Sequence, residues 1–162
     1  MAKQTGIIKL KGKIGDLSFY KTQDGHLARE KGGVDAERIA KDPAFIRTRE
    51  NGAEFGSAAS AGKLMRDALR PLMLRASDGR VTSRLTKVMT DIKNLDATSA
   101  RGQRTVGSAI PLVPAKERLK GFNFNIRSIL GSVLYKSYSV DIATGAIDMA
   151  QLVPTNEIAA PS

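Results

Sequence analysis

The sequence predicts an α+β fold: an N-terminal β-hairpin or ribbon, a central antiparallel helical hairpin and a C-terminal β-hairpin. Three observations predict it. "LSFYKTQDGHLARE" (17–30) sets Asp-Gly between two β-prone runs, and Gly accepts the positive φ that a tight turn demands. Val81, Leu85, Val88, Ile92 and Leu95 recur at 4-3-4-3 spacing, which makes one apolar stripe on a helix. "SYSVDI", "ATG" and "AIDMAQL" then repeat the strand–turn–strand pattern near the C-terminus.

The first element is a basic ribbon arm over 1–33. "GIIKLKG" alternates after Ile7, so Ile8 and Leu10 are expected on one side of a strand and Lys9 and Lys11 on the other. Gly12 and Gly15 bracket a turn into the next strand. The glycines raise the question of a phosphate-gripping loop. Such a loop follows a strand and opens a helix. Strand-like sequence follows these glycines, and neither Gly-x-x-x-x-Gly-Lys-Ser/Thr nor Gly-x-Gly-x-x-Gly occurs. They are read as turn residues.

The helical hairpin is expected over 34–97. A helical turn at 35–41 leads to Asp42-Pro43, an N-cap followed by a first-turn proline. The long helix that follows carries Gly52, Gly56 and Ser60 at every fourth position. That small-residue face predicts close helix packing, which would offset the cost of helix-interior glycine. Pro71 is expected to kink or divide its end. Ser77 or Asp78 caps the second helix, whose polar stripe holds Arg80, Arg84, Lys87 and Asp91. Residues 98–114, polar and punctuated by Gly and Pro, read as a loop. Residues 115–162 read as a small β-rich segment with one helical turn at its start and a short helix at 127–133. Phe122 and Phe124 share one face of an extended stretch, where core packing is favoured over base stacking.

Composition narrows the function classes. The 162 residues contain no cysteine and one histidine, His26. Disulfides, thiolate metal sites, multi-histidine metal sites and Cys/His nucleophiles are thereby excluded. Acids are interleaved with bases along the helices, so no pair of converging carboxylates stands out. No catalytic residue, cofactor or metal site is expected, and the chain reads as a non-enzyme. No apolar run approaches the roughly 18 residues of a membrane span, and the N-terminus lacks a signal-like apolar stretch. The expected location is the cytoplasm or the inside of a particle assembled there.

The net charge is +10, and residues 1–105 carry 21 Lys/Arg against 12 Asp/Glu. The candidate polyanion or partner contacts are Lys9, Lys11, Lys13, Lys21 and Arg29 on the ribbon. On and after the helices they are Arg66, Arg70, Arg80, Arg84, Lys87, Arg101 and Arg104. Arginine suits bidentate contact with phosphate or carboxylate. The competing reading is an edge strand kept soluble by lysines, and arginines paired with acids one helical turn away, such as Glu50 and Glu54 beside Arg47 and Arg49.

The stretches "GIIKLKGKIGDLSFYKTQDGHLAREKGG", "DPAFIRTRENGAEFGSAASAGKLMRDALRPLM", "SRLTKVMTDIKNLDATSARGQRTVG" and "GFNFN" cover most of residues 6–125. In them the chain resembles a family of conserved Bacteroidetes proteins to which no activity is attached. The resemblance implies the architecture above and implies that related chains run on into further β-rich sequence. The functional expectation is a structural subunit of a larger assembly, phage-like, filamentous or shell-like. It would dock on copies of itself or on neighbours through β arms and a basic helical face. The alternative is a non-specific nucleic-acid-binding protein that uses the basic ribbon and the arginine-rich helices.

Overall fold

Two tight turns organise the front of the chain. In the computed structural model, which describes residues 1–30 and 32–160, Gly15 adopts φ +56° between strands β2 (Gly12–Ile14) and β3 (Leu17–Thr22). Gly25 adopts φ +113° where β3 returns as β4 (Gly25–Glu30). Both conformations favour glycine because a Cβ is strained there. Lys31 of the expected ribbon and the last two residues of the expected C-terminal segment lie outside the described residues. The chain divides into two packed units, Met1–Thr48 and Arg49–Ser162.

The first unit is built on a four-stranded antiparallel sheet of order β1-β4-β3-β2, with Ala2–Lys3 as β1. The "QDG" hairpin forms as expected, with Thr22 opposite Gly25. The expected strand over "GIIKLKG" does not form. Gln4 closes residues 5–9 into a loop instead. Its Oε1 accepts the Leu10 N–H at 2.8 Å, and its Nε2 donates to the carbonyls of Leu10 (3.3 Å) and Leu27 (3.0 Å). These side-chain bonds replace the ladder that a strand would have made, and the place beside β4 goes to β1. Helix α1 (Ala36–Lys41) follows, capped by Asp35. Asp42 then accepts from the Ala44 N–H at 2.9 Å, and a 3-10 turn at Pro43–Phe45 opens into the long helix α2 (Ile46–Ala68).

The second unit holds the core. Helix α2 stops before Pro71, which lies in the first turn of α3 (Arg70–Ala76). Proline is tolerated there because its missing N–H would be unpaired anyway. Asp78 Oδ1 accepts from the Arg80 N–H at 2.7 Å just ahead of α4 (Val81–Lys93). Lys93 at the end of α4 reaches Glu54 near the start of α2, while Leu85 and Met89 face Gly62 further along α2. The two helices therefore run antiparallel. The core is Ala58, Leu85, Met89, Ile92, Val106, Ala109 and Ala115, with Val88, Leu95 and Phe122 packed on it. Four of the five stripe positions read from the sequence are buried or partly buried there beside Met89, and Val81 is buried too.

Three expectations need correction. Gly52, Gly56 and Ser60 do not mediate close packing: all three are exposed, and a Cβ at either glycine would meet nothing within 4 Å. The packed face of α2 lies two residues on, at Glu54, Ala58 and Gly62. Residues 98–114 are not merely a loop. Thr105 caps α5 (Val106–Ala109), Pro114 lies in the first turn of α6 (Val113–Leu119), and Val106 and Ala109 belong to the core. Residues 115–162 hold little strand. Helix α7 (Leu130–Val133), a hairpin of β5 (Ser139–Val140) and β6 (Ile147–Asp148), and α8 (Pro154–Glu157) are joined by turns and one bridge between Leu134 and Ile158. Phe122 and Phe124 meet edge to face at 5.2 Å outside any strand.

Leu85 is fully buried, so Leu85→Ala should cost about 2–5 kcal/mol in a urea titration. Gly52→Ala and Gly56→Ala should each raise stability by roughly 0.5–1 kcal/mol, because helix entropy is gained and no packing is lost.

Candidate interaction surfaces

Strand register sorts the ribbon residues into two faces, because residues directly opposite one another in a sheet share a side. Lys13 lies opposite Ser18, Ser18 opposite Arg29, Tyr20 opposite Leu27, and Leu27 opposite Lys3. One face therefore carries Lys3, Lys13 and Arg29 with Tyr20, and no acid from the strands. The Arg29 guanidinium lies over the Tyr20 ring at 5.6 Å. Lys11, Lys13, Ser18, Tyr20 and Arg29 line a groove of about 470 Å³.

Of the five ribbon cations predicted to act together, three gather here. Lys21 does not join them; it lies opposite His26 in the ladder and shares the other face with Phe19 and Ala28. Lys9 is on the loop and donates to the Gln4 carbonyl.

The helical cations divide between internal ties and open surface. Arg84 is a tie. It donates to the Asn123 carbonyl at 2.6 Å and to the Phe124 carbonyl at 3.3 Å, pairs with Asp78, and lies 5.3 Å from the Phe122 ring centre. It thereby fixes the "GFNFN" stretch to the start of α4. Asp78 also accepts the Ile126 N–H at 2.9 Å, and that bond leads the causes holding its carboxyl below the ordinary range. Arg104 is a second tie, and Arg101 pairs with Glu50 at 3.1 Å. Arg66 and Arg70 line a hollow of about 430 Å³ with Asp67 and Asp78. Those two acids already pair with Lys63 and Arg84. Arg80 is exposed, and Lys87 borders a groove of about 630 Å³ along α4 with Phe55, Thr82, Thr86 and Thr90. The Thr86 and Thr90 hydroxyls donate back to the carbonyls of Thr82 and Thr86.

Sequence reasoning missed the strongest electrostatic feature. Glu54, 1% exposed, accepts from Lys93, from Arg104 Nε at 2.8 Å and Nη2 at 3.0 Å, and from the Gly102 N–H at 2.7 Å. Arg104 first, then Lys93 and Gly102, hold its carboxyl down at about 2 against the opposing effect of burial. Buried Asp96 is held low as well, by the Ser99 and Thr98 side chains and the N–H groups of Ser99 and Thr105. The signal available in the sequence was Glu54 in line with Ala58 and Gly62, an acid on a small-residue stripe. Gly102 completes the site. Its φ is +87°, and a Cβ there would lie 3.0 Å from the Glu50 Cγ and 3.3 Å from the Glu50 Cα. Among the described residues no cluster of His, Cys, Asp or Glu fits a metal ion, and no helix is long and apolar enough to cross a membrane.

Gly102→Ala should destabilise by at least about 1–2 kcal/mol, the cost of a left-handed conformation at a residue with a Cβ, in a urea titration. Glu54 also sets a pH dependence. Its folded pKa lies below the unfolded value, so the unfolded chain takes up a proton first on acidification. The stabilisation is complete above the ordinary value of 4.5 and is lost as pH falls toward about 2. The urea midpoint should fall through that window, and Glu54→Gln should flatten this part of the profile.

No protein-family model, curated protein or solved structure matches this chain.

Proposed function

We propose that the protein is a non-enzymatic structural subunit of a larger assembly, a particle or filament in which copies or neighbours cover one another's surfaces. The observation that carries this reading is unburied apolar surface. The chain exposes 12101 Å², whereas two compact units of these sizes would expose about 9,000 Å² between them. The difference is of the order of a large, stable protein–protein interface. It is rich in large apolar side chains: Ile7, Ile8, Leu64, Leu72, Leu74 and Ile142 are each at least two-thirds exposed. Apolar side chains left in water in this number favour association. The contacts run through the β elements and the open part of the basic helical face, with the exposed Arg70 and Lys87 turned to acidic groups on a neighbour.

A second reading is favoured by the basic face of the sheet. Lys3, Lys11, Lys13 and Arg29 around Tyr20 suit a phosphate backbone, with one aromatic ring at hand for a base. In this reading the protein is a non-specific nucleic-acid binder.

Size-exclusion chromatography with light scattering, before and after nuclease treatment, separates the two. An assembly subunit elutes above monomer mass in both runs and withstands moderate salt. A monomer that retains nucleic acid would overturn the assembly reading. For the second reading, duplex DNA affinity should fall with salt at a log–log slope of roughly −3 for three or four neutralised phosphates. Lys13→Ala should make that slope shallower by about 1, and no binding at low salt would end it.

A further inference from the structure

The sheet of the first unit has two unlike faces. The side opposite Lys3, Lys13 and Arg29 carries Ala2, Ile14, Leu17, Phe19 and Ala28. Among the described residues of Met1–Thr48 the strands make most of their close contacts with one another, and α1 makes most of its own with the 3-10 turn that follows it. Ile14 is 61% and Leu17 44% exposed, and Phe19, His26 and Ala28 are half-buried. A sheet with an apolar face needs a second layer to bury it.

The charges on this face indicate what supplies that layer. Lys21 and His26 lie opposite each other at one end of the face, and Glu30 lies opposite Leu17 at the other. The ends are four residues apart, roughly 13 Å along the strands. Lys21 and Glu30 are both exposed. The middle row, Gly12, Phe19, Ala28 and Ala2, is one aromatic ring among small residues.

We propose that the second layer is the same face of a second copy, packed as a two-fold sandwich. A two-fold axis between the sheets and across the strands reverses strand direction. It sets the Lys21 end of each copy over the Glu30 end of the other, and it stacks the middle rows on each other. The contact is isologous, so each attractive pair occurs twice. The opposite, basic face then points outward on both sides of the dimer. This inference rests on the assembly reading and names one of its contacts.

The full chain, treated with nuclease, is tested by light scattering and by single-cysteine linking, which is clean because the chain has no cysteine. Lys21→Glu and Glu30→Lys should each raise the dimer dissociation constant about tenfold, since each cross-sheet charge pair is worth a factor of a few and occurs twice. The double variant should restore it to within about threefold, a rescue that a merely misfolded single variant would not give. Ala28→Cys should be joined to its mate by a bismaleimide whose reach matches the roughly 10 Å between packed sheets. Ser18→Cys, on the basic face, should not.

An oligomer indifferent to both charge reversals, or one in which Ser18→Cys links as readily as Ala28→Cys, overturns the sandwich and leaves the assembly reading standing. A monomer in every variant and in the parent chain ends both. A monomer whose Ala28→Cys is shielded from maleimide by anionic vesicles or by duplex DNA assigns the face to that partner and overturns the sandwich.

Discussion

The carboxylate of Glu54 is the point on which the second unit turns. It is one of the three largest side chains that are fully buried, beside Leu85 and Ile92. A charged group with no water around it must have its lone pairs occupied. Four donors from three places in the sequence meet that need: Lys93 from the end of α4, Gly102 from the backbone, and two guanidinium nitrogens of Arg104. The ion cluster thus holds α2 against α4 and draws in the segment from which α5 springs. Asp96 works at the same corner, accepting from Thr98, Ser99 and Thr105. Buried ion pairs of this kind are weak net stabilisers, but leaving one partner unpaired is costly, so they act chiefly to fix which segments meet.

That constraint explains why the core can be small. Apart from Leu85 and Ile92, the fully buried members of the hydrophobic cluster are alanines. Alanine and glycine along the inner face of α2 leave room for the side chains of α4 and for the carboxylate. The same economy leaves Leu64, Leu72 and Leu74 in water. In the first unit the sheet closes both hairpins but buries neither face well. Shortage of apolar burial is therefore common to both units, each for its own local reason.

Positive charge is used in two ways. Arg84, Arg101 and Arg104 are internal fasteners: each meets a carboxylate, and Arg84 meets two backbone carbonyls and an aromatic ring as well. Lys3, Lys13 and Arg29 instead share a sheet face without an acid from the strands. A guanidinium fork suits the first task because several fixed donors can be satisfied at once. Flexible lysines and an exposed arginine over tyrosine suit an external anion.

Elements that depend on neighbouring residues were legible in the chain before it folded. Asp-Gly at 24–25 specified the β3–β4 turn, Asp42-Pro43 the entry to α2, Pro71 its end, and the 4-3-4-3 stripe the inner face of α4, because turn geometry, capping and helical period are local properties. What it left open was which of several small-residue stripes on α2 would be covered. Gly52, Gly56 and Ser60 look as suitable as Glu54, Ala58 and Gly62 until Lys93, Gly102 and Arg104 are brought in from 39 or more residues away. The side of the sheet taken by Lys21, the failure of "GIIKLKG" to pair and the helices within 98–114 were likewise tertiary outcomes. Each depends on a partner distant in sequence: β4 for the register, Leu27 for the Gln4 clasp and the α4 core for Val106 and Ala109. The period along a single chain carries no information about these partners.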